Sequence, residues 1–445
     1  MHKKRILIIG EVFVDTHLDI VNGNKTPMTR LGGIFHAARA LSALRTDYAL
    51  AFYSPSYLER DIRRFSEKLN AKASYSIGSI DAAPNVMLIR ESTEAGEQCY
   101  HNVLKEQAIF RNTESLLDVL KMVKPTDILL FPGRYDAEYV MNALNQTDAS
   151  LHIDAHYDCA TFLEQTKRRI DSLFLSTSSD LFLEKCNRSV AGMIEYFQKY
   201  RISCLVLKEN RGGATAILVE EQQKYEVPAY PARTIHSVGV GDVFDAVFIS
   251  DAFGNTCGER LQTASLCAAK YAETMRQQRF EDDVRLIQSK IDAFNQLKGI
   301  RLAWDKRSSI SIYIAAPDFP DINTKLIDDL CANLTYHNFR PRRPIKENGL
   351  INTEMKDFEK YEIYMKDLSL LDECSILIAV LLNHDPGTMV ELGMAKKSGK
   401  HTILYDPEYL CTNNFLRFTP DRTCHRQSEV IDAVFACAEE NNYGL

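Results

Sequence analysis

Several short, largely apolar runs limit what this chain of 445 residues can fold into. The first covers residues 6–9 and leads into Gly10, and two others cover 127–131 and 151–154. Runs of this length are typical of strands that are buried on both faces of a parallel sheet. Because helix-compatible stretches separate them, the order of elements predicts an α/β fold with helices on both sides of the sheet.

A polar, charged stretch divides these runs into two groups. Residues 298–309 contain the only tryptophan of the chain, and apolar runs resume at 311–316 and 375–382. A chain of 445 residues also exceeds what one hydrophobic core normally serves, so two domains are expected. We therefore predict a first domain over residues 1–297, a linker over 298–309 and a second domain over 310–445.

The overall charge and the cysteines disfavour several classes of function. The 53 basic and 60 acidic residues give a net charge of −7 and a pI near 5.9, which disfavours a general binder of nucleic acid or membranes. No apolar run approaches the length that spans a bilayer, and the apolar run 6–9 that follows the basic residues 1–5 is too short for a signal-peptide core. The 11 cysteines include no C-x-x-C pair, which predicts reduced thiols in a cytoplasmic protein. Small molecules are the expected partners.

The stretch 236–248 carries the clearest motif of the first domain. Gly239 and Gly241 flank one small residue and precede Asp242, where a helix-compatible stretch begins. The free backbone amides and positive dipole of such a helix start bind anions. A carboxylate beside them cannot hold phosphate, but it can take the proton from a hydroxyl that attacks a phosphoryl group. A glycine-rich turn with Asp242 as a helix cap is the other interpretation.

Residues 236–244 resemble the second signature of the ribokinase-like (PfkB) carbohydrate kinases, D-T-T-G-A-G-D-x-F. The matching positions are Gly239, Gly241, Asp242 and Phe244, and the departures are His236, Val238 and, just beyond, Val247. The resemblance covers almost all of the first domain and implies a parallel-sheet, three-layer domain with a β lid. It also implies that Asp242 is the catalytic base and that the amides of Gly239, Val240 and Gly241 form the anion hole.

Sugar contacts in the first domain follow from the same resemblance. Asp15 follows the first strand, and Gly32 and Gly33 open a helix that resembles the first signature, G-G-x-x-N-x-A. The resemblance implies that Asp15 binds sugar hydroxyls, that the glycines let the backbone approach the sugar, and that residues 85–103 form the lid. His36 stands in the place of the Asn, which indicates an altered substrate. Without the family, Asp15 is equally well explained as a loop cap and His36 as a side chain on a solvated helix face.

The nucleotide and metal contacts of this family are less complete in the chain. Residues 172–180, where the family carries N-x-x-E to organise Mg²⁺ and phosphate, retain only Asp180. Lys208 replaces a threonine at the end of a later strand, where it can meet a nucleotide phosphate or cap the strand. The resemblance implies ATP and Mg²⁺ as cofactors, with no side chain assigned as a direct metal ligand. Because these positions are eroded, the alternative is a catalytically inactive module that binds a ligand or supports oligomers.

In the second domain, Asp385 and Glu391 lie at a junction between a buried strand and a helix. A carboxylate in the first turns of a helix can simply complement the helix dipole. It can also be a nucleophile, as in retaining glycosyl transfer, where it attacks the anomeric carbon, a base leaves and an acceptor takes the sugar. Both interpretations are open from the residues alone.

Residues 385–400 resemble the motif of the nucleoside 2-deoxyribosyltransferase family, D-x-G-[ST]-x-x-E-x-G-x-A-x-x-x-G-K. The resemblance implies a smaller flavodoxin-like, doubly wound α/β domain that uses no cofactor. It implies that Glu391 is the nucleophile and that Tyr313 orients it. Asp385 and Phe319 are expected to bind the substrate.

Further expectations come from the same family. Asp367 is assigned to act on the leaving base, with Asp372 as the competing choice. A homo-oligomer is expected because the family often completes each site with a neighbour's loop, here Asn413 or Asn414. The base, the sugar, transfer versus hydrolysis, and nucleoside versus nucleotide stay open.

Arg340, Arg342 and Arg343 bear on the last choice, because arginine suits phosphate, but they are equally consistent with a solvated loop. The two resemblances together predict a bifunctional enzyme of nucleoside metabolism. The second domain cleaves or exchanges an N-glycosidic bond through Glu391, and the first phosphorylates a sugar or nucleoside hydroxyl through Asp242. In the alternative, only the second domain reacts.

Overall fold

The chain forms two compact units. The first consists of Met1–Thr93 and Gln98–Gly299, and the second of Glu94–Glu97 and Ile300–Leu445. The computed structural model describes residues 4–18, 27–80, 86–89, 93–96, 100–103, 110–112, 115–156, 159–252, 254, 256–294, 296–351 and 354–440. No helix within these ranges is both long and apolar enough to cross a membrane.

The first unit alternates strands and helices along most of its length. Its strands are β1 Arg5–Glu11, β2 Val14–His17, β3 Met28–Leu31, β4 Asp47–Ser54, β5 Ser74–Ile80, β6 Val86–Ile89, β7 Tyr100–Asn102, β8 Phe110–Asn112, β9 Asp127–Leu130, β10 Ser150–Asp154, β11 Ile170–Ser176, β12 Ile202–Lys208, β13 Ala214–Leu218 and β14 Gln223–Val227. Its helices are α1 Phe35–Leu44, α2 Glu59–Lys68, α3 Leu116–Val123, α4 Ala137–Leu144, α5 Cys159–Gln165, α6 Val190–Phe197, α7 Val240–Ser250, α8 Cys257–Ala272, α9 Gln277–Ser289 and α10 Ile291–Phe294. Short 3-10 turns cover Ser56–Leu58 and Asn210–Gly212, and a π-helical turn covers Leu181–Lys185.

The main sheet of this unit has the strand order β14-β13-β12-β11-β10-β9-β1-β4-β5-β8. The strands from β12 to β5 pair in parallel, whereas β13, β14 and β8 pair antiparallel at the edges. Ile6 and Ile8 of β1 join the same buried cluster as side chains of α1 and α7, and Leu7 and Ile9 on the other face are equally buried. The predicted parallel α/β fold is therefore confirmed.

A separate four-stranded sheet, in the order β3-β2-β6-β7, corresponds to the predicted β lid. β2 pairs antiparallel with β3 and parallel with β6, and β6 pairs antiparallel with β7. Of the residues expected in the lid, 85, 90–92 and 97–99 lie outside the described residues. Asp15 belongs to β2, so this sheet carries one of the predicted substrate residues.

The second unit is a smaller α/β structure. Its strands are β15 Ser311–Ala315, β16 Arg340–Arg342, β17 Ile376–Val380, β18 His401–Tyr405 and β19 Arg422–Cys424. Its helices are α11 Trp304–Arg307, α12 Lys325–Tyr336, α13 Pro344–Asn348, α14 Asp357–Glu373, α15 Pro386–Lys397, α16 Asn414–Phe418 and α17 Gln427–Glu440.

All pairs of the second sheet are parallel, in the order β16-β15-β17-β18-β19. Numbered within this unit, the order is 2-1-3-4-5, which is the flavodoxin-like, doubly wound order, so that prediction is also confirmed. Ile312 and Ile314 pack into a core with α12 and α17, whereas Tyr313 packs on the opposite face with α14 and α15. Ligands of such sheets bind outside the carboxyl ends of the strands where the order reverses, here at β15 and β17.

Much of the segment that composition assigns to the linker is folded. Residues 300–309 belong to the second unit and include α11. Leu302, Trp304 and Arg307 are completely buried, and the Arg307 guanidinium donates from Nε and Nη2 to the Leu302 carbonyl at 3.0 and 2.9 Å. The polar composition gives no sign of this packing, because the sequence does not distinguish a buried arginine with paired donors from a solvated one.

Candidate active site

Tyr313 and Glu391 meet at the carboxyl edge of the second sheet. Tyr313 lies in β15 and Glu391 in α15, which follows β17, so both come from the point where the strand order reverses. The Tyr313 hydroxyl donates a hydrogen bond to Oε1 of Glu391 at 2.7 Å. Tyr313 is buried and Glu391 is partly exposed. The carboxyl group is therefore oriented by a rigid neighbour and still reaches solvent, as a nucleophile requires.

The electrostatics of this pair favour a carboxyl group that changes protonation near neutrality. Burial, together with the nearby charges of Asp367 and Asp385, raises the pKa of Glu391 to about 7, although the hydrogen bond from Tyr313 acts in the opposite direction. Burial and the charge of Glu391 also raise the pKa of Tyr313, so the phenol stays protonated and donates. At neutral pH a substantial fraction of Glu391 is ionised and available for attack.

Asp385 is the cap of the helix that carries Glu391. Its Oδ2 accepts hydrogen bonds from the backbone amide of Thr388 at 2.7 Å and from the Thr388 hydroxyl at 2.8 Å. This bonding satisfies a free amide of the first helical turn. Asp385 is partly exposed and close enough to raise the pKa of Glu391 by its charge. Asp385 therefore has the structural role of a helix cap, and its contact with substrate hydroxyls stays a prediction.

The structure distinguishes the two candidates for the base-side carboxylate. Asp367 is partly exposed on α14, and its charge contributes to the raised pKa of Glu391. Burial raises the pKa of Asp367 itself, while a hydrogen bond from Nδ2 of Asn348 to its Oδ1 at 2.8 Å acts the other way. Asp372 is exposed, and its backbone carbonyl accepts from Nζ of Lys400 at 3.0 Å. Asp367 is therefore the residue that the fold brings to Glu391.

The positions of the other predicted residues of the second unit do not test the roles assigned to them. Phe319 lies half-buried in the loop after β15, and Asn414 is exposed at the start of α16. Asn413 caps α16, with Oδ1 accepting from the Phe415 amide at 2.8 Å. The expected contribution of Asn413 or Asn414 to a neighbouring copy stays a prediction.

Two of the three arginines considered for phosphate are already paired with carboxylates. Nε and Nη2 of Arg342 bind Glu347 at 2.9 and 2.7 Å. Nε and Nη2 of Arg343 bind the buried Asp318 at 2.8 and 2.7 Å. Arg340 is exposed. Because a guanidinium bound to a carboxylate in this two-point manner has few donors left, the geometry disfavours Arg342 and Arg343 as phosphate ligands.

In the first unit, the glycine motif starts α7 as predicted. Gly239 precedes the helix with φ 75°, a left-handed conformation that favours glycine, and Asp242 lies partly exposed in the first turn. Burial, together with the charge of Asp154, raises the pKa of Asp242 to about 7, although the charge of Lys208 acts in the opposite direction. This value suits a group that accepts a proton at neutral pH. Val240 and Gly241 supply the remaining residues of the expected anion hole at the same helix start.

Lys208 lies beside this helix start with its ammonium group among carboxyl groups. Its Nζ donates to both oxygens of Asp245, at 3.0 and 2.9 Å, and to Oδ2 of Asp154 at 3.2 Å. A Cβ atom added to Gly241 would stand 3.2 Å from the same Nζ. Asp245 is completely buried. The sequence reasoning missed Asp154 and Asp245; a lone acidic residue within the apolar face of α7 was the signal for Asp245.

The predicted sugar residues form a buried polar chain. Nε2 of His36 lies 3.0 Å from Oδ2 of Asp15, and Nδ1 of His36 lies 2.8 Å from the Tyr271 hydroxyl. Burial lowers the pKa of His36 to about 4, so the imidazole is neutral at physiological pH. Gly32 packs directly on Asp15, since a Cβ atom there would stand 2.1 Å from Oδ1. The solvated-face interpretation of His36 is wrong, because the ring is buried against these partners.

Gly33 and Asp180 are the remaining residues that the kinase resemblance assigns to the site of the first unit, Gly33 at the sugar and Asp180 near Mg²⁺ and phosphate. Gly33 lies two residues before α1, with φ 59°. Asp180 is exposed at the start of the π-helical turn. Within the described ranges, no group of three or more His, Cys, Asp or Glu residues is arranged to hold a metal ion. Of residues 172–180, where the resemblance places the organisation of Mg²⁺, only Asp180 carries a carboxyl group, and ATP and Mg²⁺ stay predicted cofactors of this unit.

The second unit thus combines a doubly wound sheet with an oriented, partly buried carboxylate at its switch point. Residues 312–423 match the family model of nucleoside 2-deoxyribosyltransferase, which confirms the resemblance drawn from the motif. No curated protein matches the chain.

Solved structures similar to the first part of the chain have low sequence identity. Phosphofructokinase-2 from Escherichia coli in complex with fructose-6-phosphate is 14% identical, covers 65% of this chain and 99% of its own, and has a TM-score of 0.49. Ribokinase from Giardia lamblia is 16% identical, with 63% and 99% covered and a TM-score of 0.46. Ribokinase from Thermotoga maritima is 14% identical, with 64% and 100% covered and a TM-score of 0.47. Because these TM-scores are below 0.5, the architecture of the first unit is assigned from its own strand order.

Proposed function

We propose that the second unit cleaves or exchanges the N-glycosidic bond of a nucleoside, with Glu391 as the nucleophile. The observation that carries the proposal is the hydrogen bond of 2.7 Å from the buried Tyr313 hydroxyl to a carboxyl group with a pKa of about 7. A group that merely complements the helix dipole needs neither burial nor an orienting phenol. The match of residues 312–423 to the nucleoside 2-deoxyribosyltransferase model supports the same chemistry.

The proposed reaction has two displacements. Ionised Glu391 attacks the anomeric carbon, the C–N bond breaks, and the electron pair leaves with the base. Asp367, whose pKa is raised by burial, supplies the proton that the departing base takes up, and Asn348 holds its carboxyl group in place. A second base or water then attacks the glycosyl ester, gives up its proton to Asp367, and regenerates Glu391. Asp385 and Phe319 are proposed to hold the sugar.

The substrate is proposed to lack a 5′-phosphate. Arg342 and Arg343 lie at the carboxyl end of β16, and both are paired with carboxylates. The groups placed around Glu391, by contrast, are the acidic residues Asp367 and Asp385. An additional negative charge on the substrate would be repelled there.

The test is chromatography of a panel of nucleosides and nucleoside monophosphates after incubation with the full chain, without ATP. The panel contains ribo and deoxy forms, each with and without a second free base. Release or exchange of a base is expected, with loss of activity in Glu391→Ala and full activity in Glu408→Ala, which removes an exposed glutamate of the same unit. If every compound survives, or if Glu391→Ala remains active, the proposal is wrong.

Phosphorylation of a sugar or nucleoside hydroxyl by the first unit is the second candidate, favoured by the pKa of about 7 at Asp242. In this proposal Asp242 takes the proton of the attacking hydroxyl and the amides of Gly239, Val240 and Gly241 face the phosphoryl group. The test is ATP turnover that depends on a pentose or nucleoside. It should vanish in Asp242→Asn and persist in Asp148→Asn, a change at an exposed aspartate of the same unit. Turnover that survives Asp242→Asn would exclude this role.

The proposed domain division is a first domain over 1–297 and a second over 310–445, connected by residues 298–309, of which 300–309 pack with the second unit. Assembly of copies that complete the glycosyl site through Asn413 or Asn414 is proposed as well. Light scattering of the full chain tests assembly, and glycosyl activity of Asn413→Ala and Asn414→Ala tests the contribution across copies.

A further inference from the structure

The loop of residues 316–324 connects β15 to α12 and begins at the strand end where the order of the second sheet reverses. It carries Phe319, which is proposed to hold the sugar. The backbone hydrogen bonds between residues of this loop are local: the Asp318 amide donates to the Ala316 carbonyl at 2.8 Å, and the Ile322 amide donates to the Phe319 carbonyl at 3.1 Å. Such bonds shape the turns of a loop but do not fasten it to a neighbouring element.

A side chain from outside the loop holds both of its ends. Arg343 follows β16, the strand that pairs with β15. Its Nε and Nη2 donate to the two oxygens of Asp318 at 2.8 and 2.7 Å, near the start of the loop. Its Nη1 donates to Oδ1 of Asp328 at 2.5 Å, in the first turn of α12, and Oδ2 of Asp328 accepts from the hydroxyl of Thr324, the last loop residue, at 3.0 Å. One guanidinium therefore joins the start of the loop to the helix that follows it.

The pairing of Arg343 with Asp318 is shielded from solvent. The two side chains are 15% and 6% exposed, so water competes little for the two parallel bonds. The planar fork of an arginine meets both oxygens of one carboxylate and still reaches a second acceptor, which the compact ammonium of a lysine cannot do with the same geometry. The position of the loop therefore depends on the guanidinium group and not on positive charge alone.

The acid side of the candidate site is fastened by a different arginine. Arg342 binds Glu347 of α13 at 2.7 Å and Glu373 of α14 at 3.1 Å. These bonds tie α13, which carries Asn348, to the helix that carries Asp367. The two neighbouring arginines thus hold different parts of the site, and a change at the second of them releases the loop while the proposed acid stays in place.

We propose that Arg343 is a positioning residue of the glycosyl site, which acts through Asp318 to hold Phe319 where the sugar binds. The proposal rests on glycosyl transfer by the second unit and adds to it a determinant of substrate affinity. Without the pairing, the loop must be ordered each time a substrate binds, which weakens binding. The chemical step is unaffected, because Glu391 is oriented by a phenol of β15 and not by this loop.

The first experiment measures kcat and KM with a nucleoside that the wild type cleaves. Arg343→Lys and Asp318→Asn are each expected to raise KM roughly tenfold and to change kcat by less than about twofold. Arg343→Lys should raise KM no further in a Phe319→Ala background, because the two residues act through one contact with the sugar. Arg426→Lys, at an exposed position of the same unit, is the matched control. An unchanged KM, a loss confined to kcat, or additive effects in the double variant would overturn the proposal.

The second experiment is hydrogen exchange of the full chain without substrate, followed by mass spectrometry of peptides. In Arg343→Lys, amides of residues 316–324 are expected to exchange roughly tenfold faster, whereas those of β17 should exchange as in the wild type. Asp318→Asn gives the same comparison where Arg343→Lys does not fold. Unchanged exchange in the loop overturns its positioning by Arg343 whatever the activity is. Faster exchange in a protein whose wild type cleaves no nucleoside instead shows that the glycosyl function is wrong, and the substrate role of Arg343 falls with it.

Discussion

Replacing Glu391 with Gln is expected to stabilise the second unit, and to do so more at high pH than at low pH. Burial is the main cause that raises the pKa of Glu391 from 4.5 to about 7. The folded state therefore keeps this proton at pH values where the unfolded chain has lost it. Because stability falls with rising pH wherever the folded state binds more protons, Glu391 destabilises the fold increasingly between these two pKa values, and fully above the higher one.

The magnitude follows from the size of the pKa shift. Each pKa unit corresponds to about 1.4 kcal/mol, so the shift to about 7 amounts to about 3 kcal/mol at pH 8. At pH 5 the folded group is protonated and the unfolded group is only partly ionised, which leaves about 1 kcal/mol. Gln has no proton to lose and keeps an oxygen for the Tyr313 hydroxyl. The gain in free energy of unfolding should therefore rise from about 1 to about 3 kcal/mol between pH 5 and pH 8.

Scanning calorimetry of the full chain at several pH values measures this gain in the transition of the second unit. One kcal/mol moves the midpoint of a domain of roughly this size by about 2–4 °C, so Glu391→Gln should raise it by roughly 6–12 °C at pH 8. Glu408→Gln, at an exposed position of the same unit, is the control and should leave the midpoint nearly unchanged. A gain that is the same at pH 5 and pH 8, or a wild type that is the more stable protein at pH 8, would refute the reasoning.

Three further predictions concern the two candidate sites. Tyr313→Phe removes a donor that lowers the pKa of Glu391, so the acidic limb of the pH profile of kcat/KM should move to higher pH, with a roughly tenfold lower rate at pH 7. Asp367→Asn should slow base release roughly 100-fold, whereas Asp372→Asn, at an exposed position, should change it by less than about twofold; equal effects would contradict the assignment. Gly239→Ala should lower the free energy of unfolding of the first unit by at least about 2 kcal/mol in urea titrations, because φ is 75° and the added Cβ would stand 2.0 Å from a buried imidazole; an unchanged midpoint would contradict this packing.

Both folds could be predicted from the sequence, because strands that are buried on both faces need continuous apolar runs. Residues 6–9 and 375–382 are such runs, and they became β1 and β17. The linker was less predictable from its polar composition, since Trp304 and Arg307 bury themselves through a local turn and a pair of bonds to one carbonyl. Composition reports average exposure and does not show the partner of an individual side chain.

The candidate site of the second unit was predictable where its residues are close in sequence. Asp385 and Glu391 share one motif, so their common location follows from one strand-to-helix junction. Asp367 and Asp372 lie five positions apart on α14, which places them roughly 140° apart around the helix, so only one can face Glu391. The surrounding residues show too weak an apolar stripe to tell which one does.

Contacts between distant segments were the part that the sequence could not predict. Asn348 reaches Asp367 from another helix, and Lys208 reaches Asp245 from another element. Single polar residues carry no spacing signal, so such pairs become visible only after the chain has folded. The alternative interpretation of His36, as a side chain on a solvated helix face, is wrong for the same reason, because its partner Asp15 lies 21 positions away in the sequence and both are buried.

Natural selection for stability would act in opposite directions on Asp385 and Glu391, the two acidic residues in the first half of α15 and at its cap. Asp385 caps the helix, so selection for folding alone would preserve it in a lineage whose glycosyl chemistry had been abandoned. Glu391 destabilises the fold whenever it is ionised. Once the glycosyl activity was no longer under selection, a substitution by Gln would therefore be favoured because it raises stability. Among descendants of this chain, the residue at position 391 is therefore the marker of continuing activity, and the residue at 385 is a marker of an intact helix.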